Sequence, residues 1–255
     1  MVDELHLVEL QLDPRGLFPR GRREGADDGY RVHATLCALF GTACVQPFLL
    51  DPGAQLGQGR SGLQVLGYSR LNGEALSRAY AAAEAGSRRH LRPGTLRARP
   101  FPATWAVGRT VGFRVRVCPT VRLAGEVERP PSPDHPQAGR LRAGAEVDAW
   151  LAAVWREDPR SREAVYLDWT RERLERGGAS LDRGAVLGWR LTEQYRREQE
   201  GDRPGSPRRR PEAVIEGVAT VTDTVAFREL LARGLGRHRA FGFGMMLLMP
   251  ASRAC

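Results

Sequence analysis

Near the end of the chain four glycines bracket a short basic segment, Gly234-Leu235-Gly236-Arg237-His238-Arg239-Ala240-Phe241-Gly242-Phe243-Gly244. Glycine accepts positive φ and lets a backbone come close to a ligand. Arg237, His238 and Arg239 lie between the two glycine pairs. Backbone N–H groups in such a loop can point at phosphate oxygens, and arginine can bind those oxygens bidentately. The segment therefore suits a phosphate chain; the plain alternative is a capped helix, a turn and a last strand. A second set of reactive side chains lies far upstream. Tyr30, His33 and Cys37 recur at i, i+3 and i+7 of a helical stretch, beside the face that carries Val32, Leu36, Leu39 and Phe40. Tyr30 and His33 can thus point the same way without competing for the core, although a Tyr and a His at the edge of packing would read alike.

The elements that must position these groups follow from periodicity. The spacing predicts a first strand over 5–12, a loop over 13–28 holding Arg20, Arg22 and Arg23, and a helix over 29–40 with Asp27 or Asp28 before it as cap. Strands over 47–50 and 62–68, an alanine-rich helix over 72–85, and strands over 95–105 and 111–121 come next. Phe113-Arg114-Val115-Arg116-Val117 alternates apolar with basic, giving one buried and one basic face. Strand, helix, strand, strand, helix, strand is the order of a ferredoxin-like unit. Four prolines within 128–140 suggest a linker. Beyond it, helices are expected over 144–155 and from Asp158-Pro159 to Arg176, and 185–198 is ambiguous between helix and strand. Residues 201–211 form a Gly/Pro/Arg-rich stretch ending in Arg208, Arg209 and Arg210. A strand over 213–221, a helix to Arg233, the glycine loop and a strand over 245–249 close the series. The expectation is an α+β chain of tandem ferredoxin-like (RRM-like) domains, 1–127 and 141–255. The second carries a helical, arginine-rich insertion over about 141–211 and the glycine-rich loop at 234–244.

Composition narrows the ligand. The chain has 255 residues, a formal net charge of +9, and no lysine among its 39 basic residues. A basic domain of this size points to a nucleic acid before other ligands. Cys37, Cys44, Cys118 and Cys255 form no C-x-x-C pair, which argues against a zinc site and a dense disulfide framework. No run of about 20 apolar residues occurs and the first residues lack signal-peptide character, so a cytoplasmic protein with no membrane partner is expected.

With these residues in view, the chain resembles the repeat-associated RNA-binding (RAMP) superfamily. The loop fits that superfamily's G-x-G-x5-G-x-G signature. Phe113-Arg114-Val115-Arg116-Val117-Cys118-Pro119 resembles its F-R-x-R-x-x-P segment, and Glu216 to Asp223 resembles the strand that leads into its last helix. Tyr30-Arg31-Val32-His33 resembles the Y-x-x-H of the CRISPR precursor-RNA-processing endoribonucleases of type I-E systems. The longer arginine-rich stretch over 156–210 leaves the type IV counterpart open.

The resemblance implies cleavage of precursor crRNA at a repeat hairpin without metal or other cofactor. The 2′-hydroxyl attacks the adjacent phosphate and leaves a 2′,3′-cyclic phosphate (or 3′-phosphate) and a 5′-hydroxyl. It implies His33 as base or acid, Tyr30 as orienting group or proton donor, and Arg23 among the cations on the phosphate. RNA contacts are expected from Arg22, Gly234, Gly236, Arg237, His238, Arg239, Gly242 and Gly244, and from Arg160, Arg162, Arg171, Arg208, Arg209 and Arg210. Mature crRNA and the other subunits of a CRISPR effector complex are the implied partners. The rival readings are a non-catalytic RAMP subunit that only holds guide RNA, and an unrelated basic RNA-binding protein.

Overall fold

The computed structural model of the chain describes residues 4–17, 28–41, 45–50, 62–130, 138–194 and 208–254. Strand β1 is His6–Leu12, with Val8, Leu10 and Leu12 fully buried. Helix α1 is Asp28–Phe40, and its stripe of Val32, Leu36, Leu39 and Phe40 packs into the same core. Strands β2 (Phe48–Leu50) and β3 (Leu63–Ser69), helix α2 (Gly73–Ala82) and strand β4 (Arg97–Pro100) complete the first sheet and its cover. Asn72 starts α2 by accepting a hydrogen bond from the Ala75 N–H at 2.9 Å. The four strands pair antiparallel in the order β2-β3-β1-β4.

The second sheet repeats this connectivity. It is built from β5 (Thr110–Val117), helix α3 (Arg162–Arg176), β6 (Ala179–Gln194), β7 (Arg208–Val221), helix α4 (Thr224–Arg233) and β8 (Met246–Met249). Its antiparallel order is β6-β7-β5-β8. Phe113, Val115 and Val117 on β5 join Tyr166 and Trp169 of α3 and Phe227 and Leu231 of α4 in one core. That core extends to the first sheet: Tyr68 at the end of β3 is buried in it, and its hydroxyl donates to the Met246 carbonyl at 2.8 Å. The chain is α+β with two four-stranded antiparallel sheets.

Several expectations are corrected. The strand at 110–117, assigned by its place in the chain to a first domain ending at residue 127, lies at the centre of the second sheet. Complementary charge helps fix it there. Arg114 Nε donates to Glu216 on β7 at 2.7 Å, and Arg116 Nη2 donates to Glu212 at 2.7 Å. The basic face of β5 is thus matched by acidic residues of its neighbour. Burial works to raise the Glu212 carboxyl, but the hydrogen bond from Arg116 and the charges of Arg116 and Arg190 hold it below the usual range. The proline-rich linker over 128–140 is an excursion inside the second unit. Val127–Arg129 pairs with Gly139–Leu141, and 131–137 lie outside the described residues.

The helix expected over 144–155 is shorter. Glu146–Asp148 pairs with Thr120–Arg122, and only Ala149–Val154 is helical. Helix α3 begins at Arg162 with Ser161 as its cap, because Asp158 is drawn to Arg160 (Nη2 to Oδ2, 2.6 Å). The helical insertion over 141–211 contains β6, which pairs with β7 along its length. Arg208, Arg209 and Arg210 open β7 instead of lying in a basic loop.

Arg162 also departs from its expected role as an RNA contact. Its guanidinium lies 4.1 Å from the ring centroids of both Trp150 and Trp189, and Nη1 reaches Asp148 Oδ2 at 2.6 Å and the Tyr166 hydroxyl at 2.9 Å. It is 12% exposed and Asp148 is 4% exposed. Burial holds the Asp148 carboxyl above its ordinary range even against the pull of Arg162. Deleting one partner leaves the other charge stranded, so Arg162→Ala is expected to cost about 3–5 kcal/mol. Denaturant unfolding of wild type and variant measures it.

Candidate nucleic-acid interface

The interface is built where α1 meets the segment after α4. Asp223 starts α4 by accepting from the Val225 and Ala226 N–H groups at 2.9 and 3.0 Å, and Gly234 ends it. Gly234, Gly236, Gly242 and Gly244 all take positive φ. At Gly244 two constraints coincide: φ is +85°, and a Cβ would sit 2.6 Å from the Leu235 carbonyl oxygen. Only glycine meets both. The loop closes on itself and on β5, since Leu235 N–H donates to Gly244 O at 2.8 Å and Gly244 N–H to Arg116 O at 2.7 Å. Between the glycine pairs, Arg239–Phe241 forms a single 3₁₀ turn.

This turn meets the start of α1. A Cβ on Gly29 would lie 2.1 Å from the Phe241 carbonyl oxygen, so the helix and the turn touch backbone to side-chain-free backbone. The Tyr30 ring lies 5.7 Å from the Phe241 ring and 6.4 Å from that of His33. The Phe241 ring is 6.0 Å from the His238 ring. Phe241 thus bridges the helical pair and the basic loop. His33 is half-buried, its Nε2 is 3.6 Å from Cys37 Sγ, and burial holds its imidazole below the usual histidine range. A neutral imidazole beside a phenol and a cationic loop can move a proton next to a bound phosphate.

The cations divide into two groups. Arg237 and Arg239 are exposed, and Arg239 Nη1 also donates to the Arg233 carbonyl at 2.7 Å. His238, by contrast, turns inward. It takes a left-handed conformation (φ 62°), and its Nε2 is 2.6 Å from Glu146 Oε1, with both side chains 16% exposed. Glu146 also accepts from the Thr120 hydroxyl at 2.5 Å, and Arg210 Nη1 lies 3.9 Å from the same carboxylate. The His238 hydrogen bond, with help from Thr120, holds the Glu146 carboxyl down at about 2. His238 and Arg210 therefore serve here to clamp the glycine loop to the Thr120/Glu146 hairpin.

Glu146→Ala is expected to lower stability by about 1.5–3 kcal/mol at pH 7, the scale of a hydrogen bond to a charged group. The sign with pH follows from the depressed carboxyl. Its contribution is complete above the ordinary value of 4.5 and is lost as pH falls toward about 2. Thermal unfolding of wild type and variant should thus differ at pH 7 and converge in that acid window.

Of the other expected contacts, Arg160 and Arg171 are exposed and both ion-pair with Asp168. Arg209 is exposed at the start of β7. Arg22 and Arg23 lie outside the described residues, and so does the environment of the Arg208 side chain. Reasoning from sequence missed Glu146, Arg116 and Phe241. Arg116 Nη1 donates to the Phe241 carbonyl at 3.3 Å while its guanidinium lies 4.2 Å from the Phe243 ring centroid. The F-R-x-R segment carried that signal, but its second arginine faces the loop only once β5 is placed beside β8.

A profile of the CRISPR associated protein family matches residues 5–250. The chain is 30% identical over 131 residues to the CRISPR-associated endoribonuclease Cse3 of Thermus thermophilus. That match takes in 48% of this chain and 62% of the relative, so it spans less than two thirds of the relative's length. Among solved structures, CRISPR endoribonuclease Cse3 bound to 19 nt RNA is similar at a TM-score of 0.61 and 21% identity, covering 97% of this chain and 100% of that one. Thermus thermophilus Cse3 bound to an RNA representing a pre-cleavage complex gives 0.59 at 18%, with 97% and 100% covered. A chain of a CRISPR RNA-guided surveillance complex gives 0.54 at 16%, with 95% and 98% covered. At these identities the structural likeness is one of fold. Among the described residues no helix is long and apolar enough to cross a membrane.

Proposed function

Because the chain belongs to the CRISPR associated protein family, we propose that it is an endoribonuclease of the Cse3 kind that cuts precursor crRNA at the repeat hairpin. The frame is a tandem of two ferredoxin-like units, each strand-helix-strand-strand-helix-strand with the same spatial order. The observation that carries the reading is the meeting of Tyr30 and His33 with the arginine-bearing glycine loop through Phe241. His33 takes the proton of the attacking 2′-hydroxyl or returns one to the departing 5′-oxygen. Tyr30 orients the reacting group. Arg237 and Arg239, with Arg23, carry the charge of the phosphorane. The bond that forms joins the 2′-oxygen to phosphorus, and the bond that breaks joins phosphorus to the 5′-oxygen. This leaves a 2′,3′-cyclic phosphate and a 5′-hydroxyl, and no step calls for a metal or other cofactor. Arg160 and Arg171 of α3 and Arg209 of β7, all exposed, track the backbone of the stem, since RNA duplexes are read mainly by shape and phosphate. The Thermus relative is an endoribonuclease, and a similar fold occurs in a surveillance complex. On that basis the product crRNA and the other subunits of such a complex are the proposed partners.

The test is cleavage of the host's repeat RNA in EDTA, with the product ends determined. A single cut with a 2′,3′-cyclic phosphate is the expected result. Tight hairpin binding without any cut would overturn the enzyme and leave the non-catalytic guide-RNA subunit. Absence of hairpin preference would overturn the CRISPR substrate itself.

A further inference from the structure

A second cationic surface lies behind the glycine loop, where the C-terminal ends of α3 and α4 converge. A groove of about 410 Å³ opens there, walled by Arg173 and Arg176 of α3, Glu229 and Arg233 of α4, and Gly236 and Arg239 of the loop. Its size matches pockets that take one small ligand, so a duplex would lie across it and a single strand could enter it. Glu229 is the one carboxylate among its described lining residues, and that group is paired with Arg70 at 3.2 Å.

Arginines in a last helical turn also complement the helix dipole, and Arg173, Arg176 and Arg233 all occupy such positions. That role accounts for part of the arrangement. Arg173 donates to the Trp169 and Thr120 carbonyls at 3.0 and 3.4 Å while lying 3.6 Å from the Trp169 ring centroid. Arg239 caps the Arg233 carbonyl. The remainder is unbalanced charge. Among the described residues Arg176 pairs only with Glu172, at 3.5 Å on an exposed surface, and Arg233 has no carboxylate partner. Burial, together with the like charges of Arg176 and Arg237, lowers the Arg173 guanidinium to about 10, although Glu172 opposes this. An anion in the groove would relieve that repulsion. Gly236 supports the shape, because a Cβ there would meet the Trp169 ring at 2.7 Å.

We infer that this groove is a second phosphate site, apart from the Tyr30/His33 pair, that holds the single-stranded RNA leading away from the hairpin. The inference rests on the RNA reading of the glycine loop for the identity of the polyanion. Arg239 is shared with the glycine loop; Arg176 and Arg233, which belong to the groove alone, add affinity and hold the flanking strand, with no part in bond cleavage.

The experiment uses the full chain and a ten-nucleotide uridine oligomer, with binding followed by fluorescence anisotropy over a salt series. Arg176→Glu with Arg233→Glu is compared with a reversal of equal charge at the exposed Arg97 and Arg99 on β4 of the other sheet. The groove variant should lose at least tenfold in oligomer affinity, and its salt slope should fall by about 1.4, the loss of two single-strand phosphate contacts. The β4 variant should lose much less, and repeat-hairpin cutting at saturating protein should keep its rate in both. Equal oligomer binding by wild type and the groove variant would overturn the site, as would equal losses in the two variants. Failure of wild type to cut the hairpin would overturn the nuclease reading and leave the oligomer result standing. Unchanged thermal unfolding of the groove variant shows that it is folded.

Discussion

His33→Ala should lower single-turnover cleavage of the repeat hairpin by about 10²–10⁴, the usual worth of one positioned acid or base, while RNA affinity changes little. The side chain sits at the edge of the α1 core stripe, so its loss removes chemistry and little packing. The pH profile gives a second check. Burial holds the His33 imidazole below the ordinary 6.5. If the neutral ring is the base, wild-type rate stays level as pH falls past that ordinary value and declines only in the lower range. The variant's profile should lack that limb. Equal cutting by wild type and variant would move the proton transfer away from α1. It would point to chemistry centred on Arg23, Arg237, Arg239 or the neighbouring His238.

Gly29→Ala should damage both activity and stability, although local propensity predicts the opposite. Alanine in place of glycine inside a helix is worth about 1 kcal/mol in favour of the helix. Here the added methyl would stand 2.1 Å from the Phe241 carbonyl oxygen, 2.4 Å from its carbon and 2.8 Å from its Cα. All three are backbone atoms and have no rotamer to escape by. Relieving the overlap must move the 3₁₀ turn away from Tyr30 or shift the start of α1, at a cost of about 1–3 kcal/mol in an overpacked site. A displacement of about 1 Å between catalytic groups and bound substrate costs on the order of 10²-fold in rate. Melting temperature and cleavage rate should thus fall together. A variant that melts higher and cuts normally would show that the helix and the turn are not held against each other.

What could be read in advance separates by the range of the interaction. Strand β1 and helices α1 and α4 are local patterns, and they stand within a residue or two of where periodicity puts them, whereas α2 starts on time but ends at Ala82, three residues short of 85. Tyr30 and His33 share a helix face for the same local reason. Pairing between distant segments was not legible. Phe113 to Val117 announces a strand with one apolar face, but nothing within the segment says which sheet receives it. That choice depends on Glu212 and Glu216, far downstream. The Asp158-Pro159 signal lost to an ion pair with Arg160, and the arginine count of α3 hid two different fates. Arg162 is enclosed by two tryptophans, whereas Arg160 and Arg171 stay at the surface. His238 looked like a ligand contact because its neighbours are arginines. Its partner Glu146 lies in another hairpin and left no trace near the loop.

The central position of Thr110–Val117 also sets the order in which the molecule can mature on the ribosome. This strand emerges well before Arg208–Val221 and Met246–Met249, the two segments that bond its edges. Until residue 249 has been made, its buried aromatic and aliphatic side chains lack a lasting cover and its backbone donors are open to other strands. The first sheet can close much earlier, because its four members are complete by Pro100. Nascent chains should therefore show early protease resistance in the first sheet and late, cooperative protection of the second. The interval between the two is the period in which this chain is most exposed to strand-swapped association with another copy.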